Sequence, residues 1–124
     1  MTRDEMKNRT KAYANRVVKL CSALPENWFT RTLGKQLLRS GTSVGANYRS
    51  ICRAKSNLDF INKLRIVEEE CDESLFLMEL LVDNNLVKAG RLDELMKDAD
   101  ELLAIVVSSA KTARVSNGRV NRIS

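Results

Sequence analysis

This chain predicts an all-α fold, an up-down-up-down four-helix bundle, on three observations. Apolar residues recur at steps of three and four through four successive stretches, and no stretch alternates with a period of two. The links between those stretches are short, and 124 residues contain a single proline, Pro25. Apolar residues make up 44% and charged residues 30%, enough to bury one core without disulfide or metal staples. Long helices joined by short links pack as antiparallel neighbours.

The first helix opens on Thr2-x-x-Glu5, a capping-box spacing, with Asp4 and Glu5 set against the positive end of the helix dipole. Met6, Tyr13, Val17, Leu20, Cys21 and Leu24 share one stripe, so the helix is expected from about residue 3 to 24, where Pro25 ends it. In the following link, Trp28 and Phe29 are expected to seal the end of the core. Thr30 is the expected cap of the second helix, and Leu33, Leu37, Val44, Tyr48, Ile51 and Cys52 carry it to about Ala54. Ser56-x-x-Asp59 opens the third helix, whose stripe is Phe60, Leu64, Val67, Cys71, Leu75, Met78, Leu81 and Val82, ending near Asn84-Asn85. Gly90 is expected to stop a frayed turn. Leu92, Leu95, Met96, Ala99, Leu102, Leu103, Val106, Val107 and Ala110 then make a fourth helix. After Arg114 the run VSNGRVNRIS loses its period. The division predicted is a bundle over residues 1–114 and a basic, mobile tail over 115–124.

Inside the second helix lies Arg39-Ser-Gly-Thr-Ser-Val-Gly-Ala-Asn-Tyr-Arg49. A glycine costs roughly 1 kcal/mol against alanine in a helix interior, so Gly41 and Gly45 need a reason. Their i, i+4 spacing puts both on one face, where a missing side chain lets another backbone approach closely. The hydroxyls of Thr42 and Ser43 can bond back to the preceding turn. A hairpin of helices two and three centred near residues 55–56 sets Gly45 opposite Ile66 and Gly41 opposite Glu70. The same register puts Arg39 near Glu70 and Glu73, and Arg49 near Asn62 and Lys63. Two readings stay open: a packing device with Arg39 pinning the register, or a direct binding face made by Asn47, Arg49 and Arg53.

Catalytic and metal chemistry find little support. The chain has no histidine, hence neither the commonest general base nor the Glu-x-x-His pairs of helical metal sites. The acidic run at 68–73 covers its helix all round, and no glycine loop with a lysine follows a strand. The expectation is a non-enzyme without cofactor or metal. Cys21, Cys52 and Cys71 form no CxxC pair and are expected as buried free thiols in a reducing compartment. With a polar N-terminal run and no window of 18 apolar residues, the expected location is the cytoplasm, without a membrane anchor.

The net charge of +5 conceals an asymmetry: residues 1–56 carry 12 Lys/Arg against 3 Asp/Glu, residues 57–101 carry 5 against 13, and residues 102–124 carry 4 against none. Complementary surfaces within or between subunits would account for this, and so would a basic face for an acidic polymer. The basic positions singled out for phosphate are Lys7, Lys11, Arg16 and Lys19 of the first helix, Arg49 and Arg53, and Arg114, Arg119 and Arg122 near the end. A plain solvated helix face is the other reading of the same residues. No aromatics interleave with them, which disfavours stacking on single-stranded bases and favours structured RNA or DNA.

The runs RSGTSVGANYR (39–49), AKSNLDFINKL (54–64) and EECDESLFLMELL (69–81) resemble a small bacterial four-helix-bundle family. It is also called the intervening-sequence protein family, because members are encoded in insertions within large-subunit ribosomal RNA genes. The resemblance extends from about Asn8 to Arg114. It includes Arg39, Ser40, Gly41, Ser43, Gly45, Ala46, Asn47, Arg49, Ser56, Asp59, Phe60, Lys63, Glu70 and Glu73. The chain departs at Ser50, where the family often has an acid, and at Leu77, where it often has an aromatic. The resemblance implies a subunit of a closed ring, commonly a homopentamer. It also implies a distant similarity to accessory proteins of diversity-generating retroelements, basic pentameric barrels that bind nucleic acid and a reverse transcriptase. A scaffold whose charged faces serve subunit assembly is the alternative function.

Overall fold

A computed structural model describes the backbone of residues 1–123 and the side chains of residues 1–116. Four helices follow one another, α1 Arg3–Ser22, α2 Trp28–Ile51, α3 Asn57–Asp83 and α4 Ala89–Ile123. Each packs against the next, and α4 returns to α1 along the loosest of the four seams. The result is the expected four-helix bundle.

The helix starts are set by side chains that satisfy free backbone N–H groups. Thr2 Oγ1 accepts from the Glu5 N–H at 3.1 Å, and Ser56 Oγ from the Asp59 N–H at 3.0 Å. Asp59 in turn accepts from the Lys55 N–H at 3.0 Å and pairs with Lys63 at 2.7 Å, which holds its carboxyl below the ordinary range. At α2 the cap is Asn27 and not Thr30: Asn27 Oδ1 accepts from the Thr30 N–H at 2.9 Å. Helix two thus begins three residues earlier than the sequence predicts, and Trp28 and Phe29 occupy its first turn. Steps of 100° from the inward-facing Thr30 and Leu37 turn both aromatics outward, so they lie exposed and do not seal the core. After α3, Asn85 takes a φ of 57°, a left-handed conformation that asparagine tolerates, and the chain reverses into α4.

Two further boundaries differ from expectation. Gly90 lies within the first turn of α4, with nothing near the place of a Cβ, and stops no helix. The apolar stripe of α4 ends at Arg114 but its backbone does not. With no proline to block it, the hydrogen-bond ladder propagates to Ile123.

Tyr13, Val17, Leu37, Val44, Leu64, Val67, Met78, Leu81, Leu92 and Leu102 fill the core, with Ile61 and Leu77 buried where Phe60 and Val82 are only partly so. Phe60 lies at the edge under the Arg3 guanidinium, 4.7 Å from the ring centre. One polar link crosses the bundle. Ser74 Oγ donates to the Cys71 carbonyl at 2.8 Å, so the Tyr13 hydroxyl must donate to Ser74 at 2.7 Å. The cysteines divide, Cys71 buried, Cys21 half-buried and Cys52 exposed, so the expectation of three buried thiols holds for one. Cys52 follows the last helical residue of α2, where the stripe no longer faces a neighbour.

The paired glycines face α1 and not α3. A Cβ on Gly41 would lie 2.7 Å from a methyl of Val17, and one on Gly45 would lie 3.2 Å from the Thr10 carbonyl oxygen. Val17 is fully buried and β-branched, so it has little room to yield. Gly41→Ala is therefore expected to lower stability by about 1–2 kcal/mol, overpacking outweighing the gain in helix propensity. The same substitution should cost less in a Val17→Ala background, which a double-mutant cycle of denaturant midpoints reads directly.

Burial holds the protons of Cys71 and Tyr13 most strongly, and those of Cys21 and Tyr48 as well. The Cys71 thiol is pushed up to about 12 and the Tyr13 phenol well above its usual 10.0. The folded chain keeps these protons where the unfolded chain releases them, so stability is full below the unfolded values and falls as pH rises beyond them. Urea midpoints should thus be flat near neutrality and decline from about pH 9, the ordinary thiol value. Cys71→Ser, which removes one of these groups, should make the decline shallower.

Candidate functional site

Helix α1 has two polar flanks that differ in charge economy. On the side of α2, Lys7, Lys11 and Ala14 face Thr42, Gly45, Ala46 and Arg49 across a groove of about 200 Å³. Its floor is made of small residues because the backbones come close there: the Gly45 position nearly touches the Thr10 carbonyl. Three cations line the groove and no carboxylate does. Among the described residues Lys7, Lys11 and Arg49 form no ion pair.

On the side of α4 the cations are engaged. Arg9 pairs with Asp98 at 2.9 Å and with Glu101, and its guanidinium is held charged chiefly by the hydrogen bond to Asp98. Arg16 approaches Asp98 at 3.5 Å. Beyond that pair, Arg16, Lys19 and Arg91 surround a wider hollow of about 320 Å³ with Leu20, Ala23 and Leu95. Part of the charge asymmetry in the sequence is thus cancelled within the chain itself.

The Arg39 register expectation holds: its guanidinium pairs with Glu70 at 3.1 Å and with Glu73. The pair is on the surface, and Arg39 is more than half exposed. The expectation for Arg49 does not hold. Ten residues at 100° leave Arg49 some 80° around α2 from Arg39, on the α1 flank beside Lys7 and Lys11 and not beside Asn62 and Lys63. Nor do Asn47, Arg49 and Arg53 form one face. The Asn47 amide donates to the Ser43 carbonyl of its own helix at 2.9 Å, and Arg53 projects from the turn after α2. Arg114 is exposed on α4, and the side chains of Arg119 and Arg122 lie outside the described residues.

The structure therefore joins Lys7, Lys11 and Arg49, places Arg16 and Lys19 in a second cluster, and leaves Arg53 and Arg114 apart. It adds Arg91, which the sequence analysis missed because nothing in a linear pattern shows that the start of α4 meets the end of α1. It also adds Ala14 and Thr10, four residues apart on α1, which both lie against Gly45.

The acidic run of α3 is dispersed: Glu70 and Glu73 hold Arg39, Glu69 and Asp72 face solvent, and Cys71 Sγ donates to the Ala99 carbonyl at 3.4 Å. Among the described residues no three potential ligands gather to hold a metal ion, and no helix is long and apolar enough to cross a membrane.

Arg39→Ala is expected to lower the melting temperature by less than Gly41→Ala, because an exposed pair is screened and the glycine contact is buried. The difference between Arg39→Ala and wild type should shrink in high salt, as thermal melts at two ionic strengths would read.

Residues 3–108 match the family described as 23S rRNA-intervening sequence protein. The fold is also similar to a crystal structure of a protein of unknown function from the S23 ribosomal protein family of Bacteroides thetaiotaomicron. The two are 33% identical over 90% of this chain and 99% of that one, with a TM-score of 0.82. No curated protein matches.

Proposed function

The chain belongs to the 23S rRNA-intervening sequence protein family, and from that premise we propose that it is a non-enzymatic, homo-oligomeric cytoplasmic protein. In this reading it binds structured RNA or DNA through phosphate contacts centred on Lys7, Lys11 and Arg49. One observation carries the reading. Arg9, Arg16, Arg39 and Lys63 all have carboxylate partners, whereas the three cations of the α1–α2 groove have none and share a concave floor of small residues. Unpaired cations around a groove that a phosphate oxygen can enter are what counterion-releasing attachment to a polyanion requires. No aromatic lines the groove, which fits recognition of backbone and shape and not of unstacked bases. Lys19 and Arg91 extend the positive surface along the other flank of α1. A ring of copies, such as the pentamer that the family resemblance implies, would repeat this surface and multiply its avidity.

A second reading draws on α3. Glu69, Asp72, Glu79 and Asp83 are exposed and have no cation partner among the described residues. That face suits a basic neighbour, whether another subunit or a partner such as a reverse transcriptase.

The test is affinity for a fluorescent RNA hairpin and a DNA duplex across a salt series. Binding should fall steeply with salt. Lys7→Ala/Lys11→Ala/Arg49→Ala should flatten the slope of log K against log salt by up to about 2.7, at ~0.9 per lost phosphate contact on duplex DNA. Arg39→Ala, whose charge is already engaged by Glu70 and Glu73, should leave the slope alone. Affinity that ignores salt, or a triple variant that binds like the wild type, would sink the proposal and favour the assembly reading.

A further inference from the structure

We propose that the basic end of α4 in one copy, residues 114–123, docks in an apolar hollow at the opposite end of a second copy's bundle. The hollow lies where α2 begins and α3 ends. Phe29, Leu33, Leu80 and Leu86 line about 410 Å³ of it, with Asn84 as the one polar residue. At its rim Trp28 and Phe29 stand edge-on, ring centres 5.1 Å apart, and are 69% and 60% exposed. Phe76, one turn before Leu80, is 55% exposed. A tryptophan and two phenylalanines left open beside an apolar hollow form the kind of surface that partners cover.

Charge says which partner. The last turns of α3 bear Glu79 and Asp83, both exposed and without a cation partner among the described residues. That last turn contains no basic residue, so the helix itself sets no positive charge against the negative pole of its dipole. The occupant should be apolar and cationic. Residues 114–123 contain Arg114, Arg119 and Arg122 and no acid, and Val115, Arg119 and Ile123 follow at i, i+4 and i+8.

This segment also overruns the bundle. Asn57, the first residue of α3, donates through Nδ2 to the Ala113 carbonyl at 2.9 Å, so the ten residues beyond continue past α3 for about 15 Å. The hollow is at the start of α4 and the overrun at its finish, so the length of the bundle separates them within one chain. A second copy is the donor. The contact joins two different surfaces, so it can repeat around a ring or be returned between two antiparallel copies.

The experiment uses the full chain without nucleic acid, so its outcome is separate from that of the phosphate groove. Trp28 is the only tryptophan and reports directly on the hollow. Sedimentation and tryptophan emission are followed over a dilution series, with circular dichroism confirming that each variant is helical. Association and a blue shift of Trp28 should share one concentration dependence. Arg114→Glu/Arg119→Glu/Arg122→Glu should weaken association at least ten-fold and leave Trp28 red-shifted, as should Glu79→Arg/Asp83→Arg. Combining both sets in one chain should restore association and the blue shift. A wild type that stays monomeric, a one-sided variant that associates like the wild type, emission unchanged by assembly, or a combined variant that stays apart would each overturn the proposal.

Discussion

The separation of the first two helices governs much of what this molecule presents to its surroundings. Gly41 against Val17 and Gly45 against the Thr10 backbone bring α1 and α2 so close that a Cβ at Gly41 would displace Val17 and one at Gly45 would crowd the Thr10 carbonyl. Because the two backbones nearly touch, the seam between them is floored by small residues, and the longer side chains stand on its two edges. Lys7 and Lys11 on one edge and Arg49 on the other are left facing a concavity. A bulkier floor would fill it, and the same three charges would then be separate points on a convex surface.

The rest of the charge distribution is organised around leaving that seam alone. Acidic residues of α3 and α4 are set against Arg39, Arg9 and Arg16, on the other flanks of α2 and α1. These pairs are exposed or half-exposed and contribute modestly to stability. Their larger effect is on the external field: they reduce the positive charge on the other flanks of α1 and α2 and leave that of the groove undiminished. A strongly asymmetric sequence thus becomes a bundle whose α1–α2 groove has unpaired cations as its only charges and whose α3 carries unpaired carboxylates as far as its end, among the described residues.

The fold was legible in the sequence because amphipathic helices repeat one simple period, and short links leave few ways to pack them. The Ser56–Asp59 box and the Arg39 pairing were legible for similar reasons, one being local and the other following from counting residues back from a turn. What escaped needed knowledge of which neighbour a face meets. The i, i+4 glycines announce a close approach, yet they do not say whether α1 or α3 makes it. Arg49 was misplaced by the same gap, since a linear count fixes height along a helix pair better than angle around it. Trp28 and Phe29 read as core because of their composition, and a cap three residues earlier than supposed turned them to solvent. Thr10 and Ser74, polar residues outside every apolar stripe, are buried because their hydroxyls find partners within the bundle.

The seam between α1 and α4 is the loosest in the bundle and is bridged at its surface by the Arg9 cluster. Edges with few buried contacts breathe first, and amide exchange would be fastest along them. Both walls of the basic groove belong to α1 and α2, the pair held by the glycines. Breathing along the weak edge would therefore swing the α1–α2 hairpin as a unit and leave the groove's shape intact. On the proposed reading, the groove could then change its angle to a polyanion while Lys7, Lys11 and Arg49 keep their relative positions.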